Sequence, residues 1–593
     1  MLLLRADYSD KLPCKYSIFA SFNYDPRYVE LIKSLSTRCW NPDSREWEID
    51  YTHYTELVTK LNTSGIPYNG EEFVQSLLRL KEKIEQSENI SKTEPILTVS
   101  DLAKMEFKTR PYEYQLEGIA YGLANNKFLL ADEQGLGKSL QTLNIATLRR
   151  GGRHCLVIVG YDTLQFNWVA EVEKHTNEKG YVLGQRTVSR GPSRGQLRKG
   201  TMKQRIEDLE NIDNIDEFFI ITSVATLRHC EKTEYIDKNG KKKHNKQYVV
   251  AEMIEKLCQN GTIGRVVFDE AQVVKSIDTD QTKALLKVKS CPYKIIATGT
   301  PIMNKHLDLY PLMFWLDKEY GNFYSFRNKY CIMGGFNNKE VKGNKNGQEL
   351  NQRLSKFMLR RKKEDVLDLP EKIIIDEYLD MELKQSVLYD KVKKIAQSEM
   401  MAQKGNKVAL MALLLNLRKV TCHPNWIDDS YTDSVKFERI HQLMHEITEN
   451  EKKAIIFSNW STPILKLKEE LGRYNPAMII GDTQDRISEV TKFQTDDSCK
   501  VILGTIGAMG TGITLTAASN VIFLDEPWNR ALKDQCIDRA HRIGTRSNVN
   551  VYTLICRGTV DEGVHGTVRK KGMIADEVID GFTSEELLAI LST

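Results

Sequence analysis

A stretch with two glycines, a lysine and a serine offers the clearest chemistry in this 593-residue chain. It reads Ala-Asp-Glu-Gln-Gly-Leu-Gly-Lys-Ser over residues 131–139, between the apolar run Phe128–Leu130 and a helical pattern. Glycines let backbone N–H groups close around phosphate oxygens, and a helix N-terminus adds partial positive charge. We therefore predict a phosphate loop. One departure is that Asp132 stands where the general pattern has its first glycine, so an ordinary glycine turn is the alternative.

Four residues of this stretch have predicted contacts to a nucleotide. Gly135 and Gly137 would surround the phosphates with backbone N–H groups. Lys138 would reach the β- and γ-phosphates, and Ser139 would bind Mg²⁺. The strand–loop–helix context is the one that such a loop requires.

An acidic pair, Asp269-Glu270, directly follows the apolar residues Val266–Phe268. Acidic pairs are common on surfaces, but one at the end of a predicted strand complements a phosphate loop. Asp269 would hold Mg²⁺ and Glu270 would activate the attacking water. Phosphoryl transfer depends on positioning and charge neutralisation more than on covalent chemistry.

Two arginines and a glutamine complete the set of candidate residues. Arg539 and Arg542 lie three apart in the helix-like segment Gln535–Gly544, hence on one predicted face. They would stabilise transition-state charge as arginine fingers, or else form ordinary surface salt bridges. Gln115, which lies among tyrosines, could recognise an adenine edge.

Short apolar runs separated by helical patterns must position these residues. Such runs are typical of parallel sheets covered on both faces, and a polar residue ends several of them, where ligands bind in open α/β sheets. A first set precedes a helical region from about residue 311 to 432, and a second set follows it without a phosphate loop. The runs are Cys155–Val159, Phe218–Ser223, Val266–Glu270, Lys294–Pro301, Lys453–Ser458, Met478–Asp482, Val501–Thr505 and Val521–Asp525.

Composition sets outer limits on the function. Charged residues make up 28% and hydrophobic residues 41%, which argues against wholesale disorder. The net charge of +4 means that any basic surface must be local. We expect no membrane span, no signal peptide and an intracellular protein, because long apolar runs are absent and the 11 cysteines are scattered.

Some segments leave two interpretations open. Aromatic and basic residues near Trp40 and Trp47 could bind nucleic acid, but we favour a small-domain core for the tryptophans. The basic segments Arg186–Arg205 and Lys238–Lys246 could contact phosphates or be solvated surface loops. Cys422-His423 is interpreted as structural because no second ligand pair lies nearby.

The order of these motifs resembles that of the Swi/Snf-type translocases of helicase superfamily two. Gly160-Tyr161 and Thr545 depart from that family's usual residues. The N-terminal residues are similar to the HARP-like accessory domain of the annealing-helicase branch. The HARP-like resemblance is carried by Arg38–Trp47 and Tyr54–Val58. The translocase resemblance is carried by Ala131–Ser139, Asp269–Gln272, Thr298–Asn304, Leu359–Leu367, Leu417–Pro424, Gly507–Ala517 and Gln535–Gly544.

The resemblance implies an α/β fold with two RecA-like lobes, parallel sheets flanked by helices, helical insertions between the lobes and a small α+β N-terminal domain. Predicted boundaries are 1–92 for a HARP-like accessory DNA-binding domain, 100–318 for the first lobe, 319–432 for the helical insertion and lobe linker, and 433–593 for the second lobe. The resemblance also implies that Gly512 and Gln535 bind the nucleotide. By the same resemblance, Thr222, Ser223 and Thr505 would contact the phosphates of the DNA backbone.

The resemblance implies a protein that hydrolyses ATP with Mg²⁺ and translocates along duplex, forked or junction DNA with little sequence specificity. The protein would rewind or remodel that DNA. A strand-separating helicase and an ATP-switched DNA-binding scaffold remain alternatives. Replication or repair proteins are candidate partners, and a monomer is favoured. The compartment would be cytoplasm or nucleoid in a bacterium or virus, and the nucleus in a eukaryote.

Overall fold

The computed structural model divides the chain into two compact units. The first comprises Met1–Ala131 and Lys138–Arg360, and the second Asp132–Gly137 and Arg361–Thr593. The residues that the structure describes are 2–8, 16–35, 38–41, 45–89, 97–188, 195, 197–236, 242–299, 306–319, 321–334, 340–402, 407–510, 513–528, 530–545, 547–573 and 590–591.

The first unit begins with a four-stranded antiparallel sheet. Its strands, in spatial order, are Leu3–Tyr8, Tyr16–Ser21, Glu46–Asp50 and Arg38–Asn41. Apolar side chains such as Ile18, Ile49 and Phe73 are fully buried in its core. Asp25 begins the first helix by accepting a hydrogen bond from Arg27 N. The helices here are Pro26–Lys33, Tyr54–Thr63 and Gly70–Asn89.

A seven-stranded parallel sheet forms the main body of the first unit. Each central strand is a run of buried apolar residues, as expected for a sheet covered on both faces. In spatial order the strands are Met358–Leu359, Lys127–Leu130, Tyr293–Ala297, Ile263–Asp269, His154–Val159, Phe219–Ser223 and Gly180–Val182. The larger helices are Glu113–Ala124, Lys138–Leu148, Gln165–His175, Met202–Glu210, Val249–Gln259, Asp280–Leu285, Tyr310–Trp315, Phe323–Tyr330 and Gly347–Leu354.

Three short antiparallel hairpins also belong to the first unit. They pair Arg186–Thr187 with Leu197–Arg198, Glu231–Ile236 with Lys242–Gln247, and Cys331–Gly334 with Glu340–Asn344.

The second unit contains a six-stranded parallel sheet. Its strands, in order, are Lys372–Leu379, Val549–Cys556, Asn520–Phe523, Ala454–Ser458, Val501–Thr505 and Ala477–Ile479. Helices cover this sheet, and their apolar faces form its core. The main helices are Leu383–Ala402, Lys407–Cys422, Val435–Glu449, Ser461–Glu470, Arg486–Thr495, Arg530–Ile537 and Val560–Met573.

The predicted fold class is confirmed, because each unit holds a parallel sheet flanked by helices. Two strands lie inside residues 319–432: Met358–Leu359 pairs in the first sheet and Lys372–Leu379 in the second. The predicted domain boundaries remain predictions. Among the described helices, none is both long and apolar enough to cross a membrane.

Three sequence-based expectations need correction. The helix predicted over Gln535–Gly544 ends at Ile537, because bonds such as Arg539 N to Cys536 O tighten the chain into turns. Trp40 is 45% exposed, so it is not a core residue, whereas Trp47 packs against the N-terminal core. The polar segment Ser87–Lys92, whose composition predicts a linker, is helical as far as Asn89, and residues 90–96 lie outside the described part.

Candidate active site

The predicted phosphate loop connects a buried strand to a helix, as the sequence indicated. The strand Lys127–Leu130 lies beside Tyr293–Ala297 in the first sheet, and the helix Lys138–Leu148 begins at the lysine. Gly135 and Gly137 have φ values of +85° and +72°, a backbone conformation that other L-residues rarely adopt. The glycines are therefore needed for this turn, whose geometry suits a phosphate-binding loop.

Asp269 ends the strand Ile263–Asp269 and is held by a tryptophan. The indole Nε1 of Trp168 donates a hydrogen bond of 2.9 Å to Asp269 Oδ2. Burial and the neighbouring Glu270 charge raise the pKa of Asp269 well above its usual value, although Trp168 and Lys138 oppose this shift. A cation bound beside Asp269 would therefore stabilise the ionised form of this carboxylate.

Glu270 adopts a strained conformation directly after this strand. Its φ of +51° is in the left-handed region, which costs a non-glycine residue about 1–3 kcal/mol and occurs often at functional sites. The neighbouring chain passes very close, because a Cβ at Gly160 would lie 2.5 Å from the Glu270 carbonyl oxygen. Gly160, which departs from the usual family residue, therefore permits this approach.

A hydrogen-bonded relay connects Glu270 to the next strand. The side-chain amide of Gln272 donates to the Glu270 carboxylate, and Thr298 Oγ1 donates to Gln272 Oε1 at 2.7 Å. Thr298 follows the strand Tyr293–Ala297, which pairs with the strand that ends at Asp269. Gln272 thus links the Glu270 carboxylate by hydrogen bonds to Thr298, at the end of the neighbouring strand. Residues 300–304 of the resembling motif lie outside the described residues.

Gln115 has a structural use at the start of the helix Glu113–Ala124. Its Oε1 accepts a hydrogen bond of 3.0 Å from Tyr112 N and so satisfies a backbone donor at the helix start, and its Nε2 donates to the Tyr114 hydroxyl. Only 2% of the residue is exposed. Adenine recognition by Gln115 therefore remains a prediction.

The donors near the loop fit a Mg²⁺ ion better than a metal that needs an all-protein site. Among the described residues, no group of three or more His, Cys, Asp and Glu side chains is placed to hold a metal. Mg²⁺ typically takes one or two protein oxygens and completes its shell with phosphates and waters. The Ser139 hydroxyl and the Asp269 carboxylate would supply such oxygens.

The predicted arginine fingers belong to the second unit and lie on turns. Arg539 is 8% exposed; its Nη1 donates to Ile513 O and its Nη2 to Gln134 Oε1, at 3.2 and 3.3 Å. Arg542 Nη1 donates to Thr514 Oγ1 at 2.9 Å. Gln535 is buried on the preceding helix, and Gly512 lies outside the described residues. The one-face helical geometry expected for the arginines is therefore wrong, and their catalytic role remains a prediction.

Asp132, the departure from the general loop pattern, has a partner within the second unit. Both of its carboxylate oxygens accept hydrogen bonds from Arg361, at 3.1 Å from Nε and 2.6 Å from Nη2. The carboxylate is fully buried, so this two-point pairing satisfies it. Asp132 thus joins the loop to the segment that begins the second unit.

Sequence reasoning missed the residues that orient the acidic pair. Trp168 lies 101 positions from Asp269, and no local pattern marks it. Gln272 and Thr298 lie within recognised motifs, but their mutual hydrogen bond depends on the pairing of the strands that precede them, Ile263–Asp269 and Tyr293–Ala297.

Comparison with known proteins decides the family. Residues 71–426, more than half of the chain, match the SNF2-related domain, and residues 435–544 match the helicase conserved C-terminal domain. The chain belongs to the SNF2-related family. This confirms the predicted Swi/Snf relationship and, at family level, the enzyme class of a helicase-like, ATP-dependent hydrolase.

Relatives of this SNF2-related chain occur in bacteria and animals. An uncharacterized ATP-dependent helicase of Mycoplasma pneumoniae is 30% identical over 80% of this chain and 44% of its own length. The Caenorhabditis elegans homolog of SWI/SNF-related matrix-associated actin-dependent regulator of chromatin subfamily A-like protein 1 is 26% identical, over 96% of this chain and 74% of its own length. The mouse DNA annealing helicase and endonuclease ZRANB3 is 24% identical over 82% and 42%, respectively. The chain spans about half the length of the bacterial relatives it matches.

Proposed function

We propose that this SNF2-related chain is a DNA-dependent ATPase that tracks on duplex or branched DNA and rewinds or remodels it. The observation that carries the proposal is the arrangement in the first unit. There the helix that begins with Lys138 and Ser139 accompanies Asp269 and a strained Glu270, which lie at the carboxyl end of a parallel strand.

The residues of the first unit have distinct proposed roles. Lys138 binds the terminal phosphates of ATP, and Ser139 and Asp269 would hold Mg²⁺, which supplies charge neutralisation when bound. Glu270 orients and deprotonates the attacking water. Its strained backbone and its hydrogen bond from Gln272 fix the carboxylate for this task.

In the second unit, we assign Arg539 and Arg542 the role of stabilising charge on the transferred phosphate. Replacing either by alanine would then lower kcat more than it raises the KM for ATP.

Two relatives and the N-terminal domain support DNA rewinding in addition to ATP hydrolysis. ZRANB3, one of the relatives, is by its name a DNA annealing helicase. The alignment with the C. elegans relative spans 96% of this chain and therefore reaches the N-terminal sheet. Exposed aromatic side chains on this domain, including Tyr24 and Trp40, fit a HARP-like DNA-contacting role.

The test is steady-state ATP hydrolysis at fixed salt without DNA and with single-stranded, duplex or forked DNA. We expect strong stimulation by duplex or forked DNA. Stimulation by single strands alone would favour a strand-separating helicase. A single turnover without movement would favour an ATP-switched scaffold.

Lys138→Ala should lower DNA-stimulated kcat by about 100-fold or more, because a charge that binds the transferring phosphates is lost. Its affinity for duplex DNA should stay within about twofold of the unmodified chain. Lys179→Ala is the matched control, because Lys179 is an exposed lysine just before the strand Gly180–Val182. Undiminished turnover in Lys138→Ala would refute the assigned site.

A further inference from the structure

Lys363 lies beside the predicted phosphate loop, within the second unit, which includes both the loop residues 132–137 and Lys363 itself. A Cβ built at Gly135 would lie 3.3 Å from Lys363 Cε, 3.5 Å from Lys363 Nζ and 3.2 Å from Arg542 Cβ. The φ of Gly135 is +85°, so this close approach occurs at a position that favours glycine. The loop backbone, the ammonium group and the arginine are therefore immediate neighbours.

Hydrogen bonds to Glu133 hold the segment that carries Lys363 along the loop. Glu133 N donates to Arg361 O at 3.0 Å, and Lys363 N donates to Glu133 Oε2 at 2.8 Å. Arg361 also donates two hydrogen bonds to the buried carboxylate of Asp132. Because these contacts fix residues 361–363 to the start of the loop, the position of Lys363 relative to Gly135 is determined by the backbone.

The hydrogen-bonding capacity of the Lys363 ammonium exceeds the acceptors around it. It donates to Asp538 Oδ1 at 2.6 Å and to His541 O at 3.0 Å, and these are its acceptors among the residues that the structure describes. A lysine ammonium carries three N–H donors, so one more acceptor can bind. The side chain is only 10% exposed, and the loop at Gly135 is among the groups that cover it.

The charges around Lys363 favour an additional anion. Burial lowers the pKa of Lys363, although the charge of Asp538 and its hydrogen bond oppose this shift. Burial likewise raises the pKa of Asp538 against the effect of Lys363, so the pair does not fully offset the desolvation of either partner. A phosphate at the loop would stabilise the ammonium form of Lys363.

We propose that Lys363 binds the terminal phosphate of ATP. Its third N–H would donate to a phosphate oxygen at the loop glycines, while Asp538 and the His541 carbonyl orient the ammonium. We assign the terminal phosphate because Lys363 and Arg542 both lie where a Cβ of Gly135 would point, and Arg542 has the transferred phosphate as its proposed ligand. This inference rests on the proposed function and adds to it a residue that distinguishes ATP from ADP.

The alternative is that Lys363 only anchors its segment to the turn at residues 538–541. Lys363→Gln and Asp538→Asn break the same ion pair, so an anchor predicts the same result for both substitutions. A phosphate-binding lysine predicts different results, because Asp538→Asn keeps the ammonium and removes the negative charge that competes with the phosphate. The two variants therefore separate the two interpretations.

The experiment uses isothermal titration calorimetry to measure the affinity of the full chain for ADP and for the non-hydrolysable ATP analogue adenylyl imidodiphosphate, both with Mg²⁺. We expect Lys363→Gln to weaken analogue binding about 10- to 100-fold, as for one lost hydrogen bond to a charged group, and ADP binding by about twofold at most. Asp538→Asn should bind the analogue at least as tightly as the unmodified chain. Lys362→Gln is the matched control, because Lys362 is 56% exposed and pairs with Glu364, and neither affinity should change.

Each outcome decides the proposal. Equal weakening of both nucleotides by Lys363→Gln at an unchanged melting temperature would overturn it, as would weaker analogue binding by Asp538→Asn. If Lys363→Gln melts early and binds neither nucleotide, the result for Asp538→Asn decides alone.

The experiment also separates this inference from the proposed function. If the unmodified chain prefers the analogue but Lys363→Gln behaves like Lys362→Gln, only the role of Lys363 fails. If the unmodified chain binds neither nucleotide, the proposed ATPase function fails as well.

Discussion

In the candidate active site, the hydrogen bond from Trp168 to Asp269 is a contact between two single residues. Trp168→Phe would remove the N–H donor while keeping most of the ring, which is 4% exposed. A hydrogen bond to a charged group contributes about 1.5–3 kcal/mol, so we expect kcat to fall about tenfold. The KM for ATP should stay within about twofold, because Trp168 positions Asp269 rather than binding ATP itself. Steady-state hydrolysis with saturating DNA measures both constants.

Trp315→Phe provides a matched control for this prediction. Trp315 is also buried, and its Nε1 donates to Val288 O at 2.7 Å, so the substitution likewise removes one buried hydrogen bond. We expect a similar loss of thermal stability but no tenfold change in kcat. Equal effects of the two substitutions on kcat would mean that Trp168 acts only through general stability.

At the scale of elements, a network of charges joins a helix, a strand end and a turn of the second unit. Arg418, on the helix Lys407–Cys422, donates to Glu526 O and lies 4.2 Å above the Trp528 ring. The Glu526 carboxylate pairs with Lys533 at 2.6 Å and accepts a hydrogen bond of 2.9 Å from His565. These contacts hold the segment that follows the strand Asn520–Phe523.

The Glu526 pair predicts a dependence of stability on pH. Burial raises the pKa of Glu526, but His565 and Lys533 outweigh it and lower the pKa to about 2. Because the pKa in the folded state is below its unfolded value, the stabilisation is complete above pH about 4.5 and is lost as pH falls towards 2. Urea unfolding should therefore show Glu526→Gln less stable by about 3 kcal/mol at pH 7, with a smaller difference at pH 3.5.

Glu449→Gln tests whether this effect is specific to the buried network. Glu449 is 66% exposed and its nearest charged partner is His445, one helical turn away. Its substitution should change unfolding free energy by less than about 0.5 kcal/mol at either pH. A constant difference between Glu526→Gln and the unmodified chain across this range would contradict the assigned ionisation.

At the scale of the whole molecule, one buried contact fixes the N-terminal sheet to the body of the first unit. Asp50, at the end of the strand Glu46–Asp50, accepts hydrogen bonds from both the backbone N and the side-chain amide of Asn322. Asn322 in turn accepts a hydrogen bond from Ser325 N and so caps the helix Phe323–Tyr330. Both Asp50 and Asn322 are fully buried.

Asp50→Ala should loosen the N-terminal domain. The substitution leaves two buried donors of Asn322 without this acceptor, at a cost of about 2–3 kcal/mol. Hydrogen exchange should accelerate within residues 2–89 and at the helix that starts at Phe323, but not in the strand Ala454–Ser458. Asp7→Ala, in the same sheet but 51% exposed, should leave exchange unchanged. Uniform acceleration throughout the chain would contradict a local docking contact.

The sequence by itself determined the elements whose signal is local. Buried parallel strands appear as apolar runs, and the strands ending at Val159, Ser223, Asp269 and Ser458 were predicted for that reason. The strand, glycine turn and helix of the predicted phosphate loop could be predicted because their residues are contiguous in the sequence. A helical pattern alone, however, did not show that the chain leaves the helix at Ile537, since that end depends on i to i+3 bonds beyond it.

Tertiary structure alone decided which distant side chains meet. Trp168, on the helix Gln165–His175, reaches Asp269 at the end of the strand Ile263–Asp269 because the chain packs these two elements together. Packing likewise brings Asp162 to Lys199 and Ser223. Sequence spacing carries no information about such contacts, because they arise from the lateral order of strands rather than from periodicity along them. The sequence thus determined the fold class and predicted phosphate chemistry, whereas the packed sheets decided which side chains contact the acidic pair and the neighbouring strand ends.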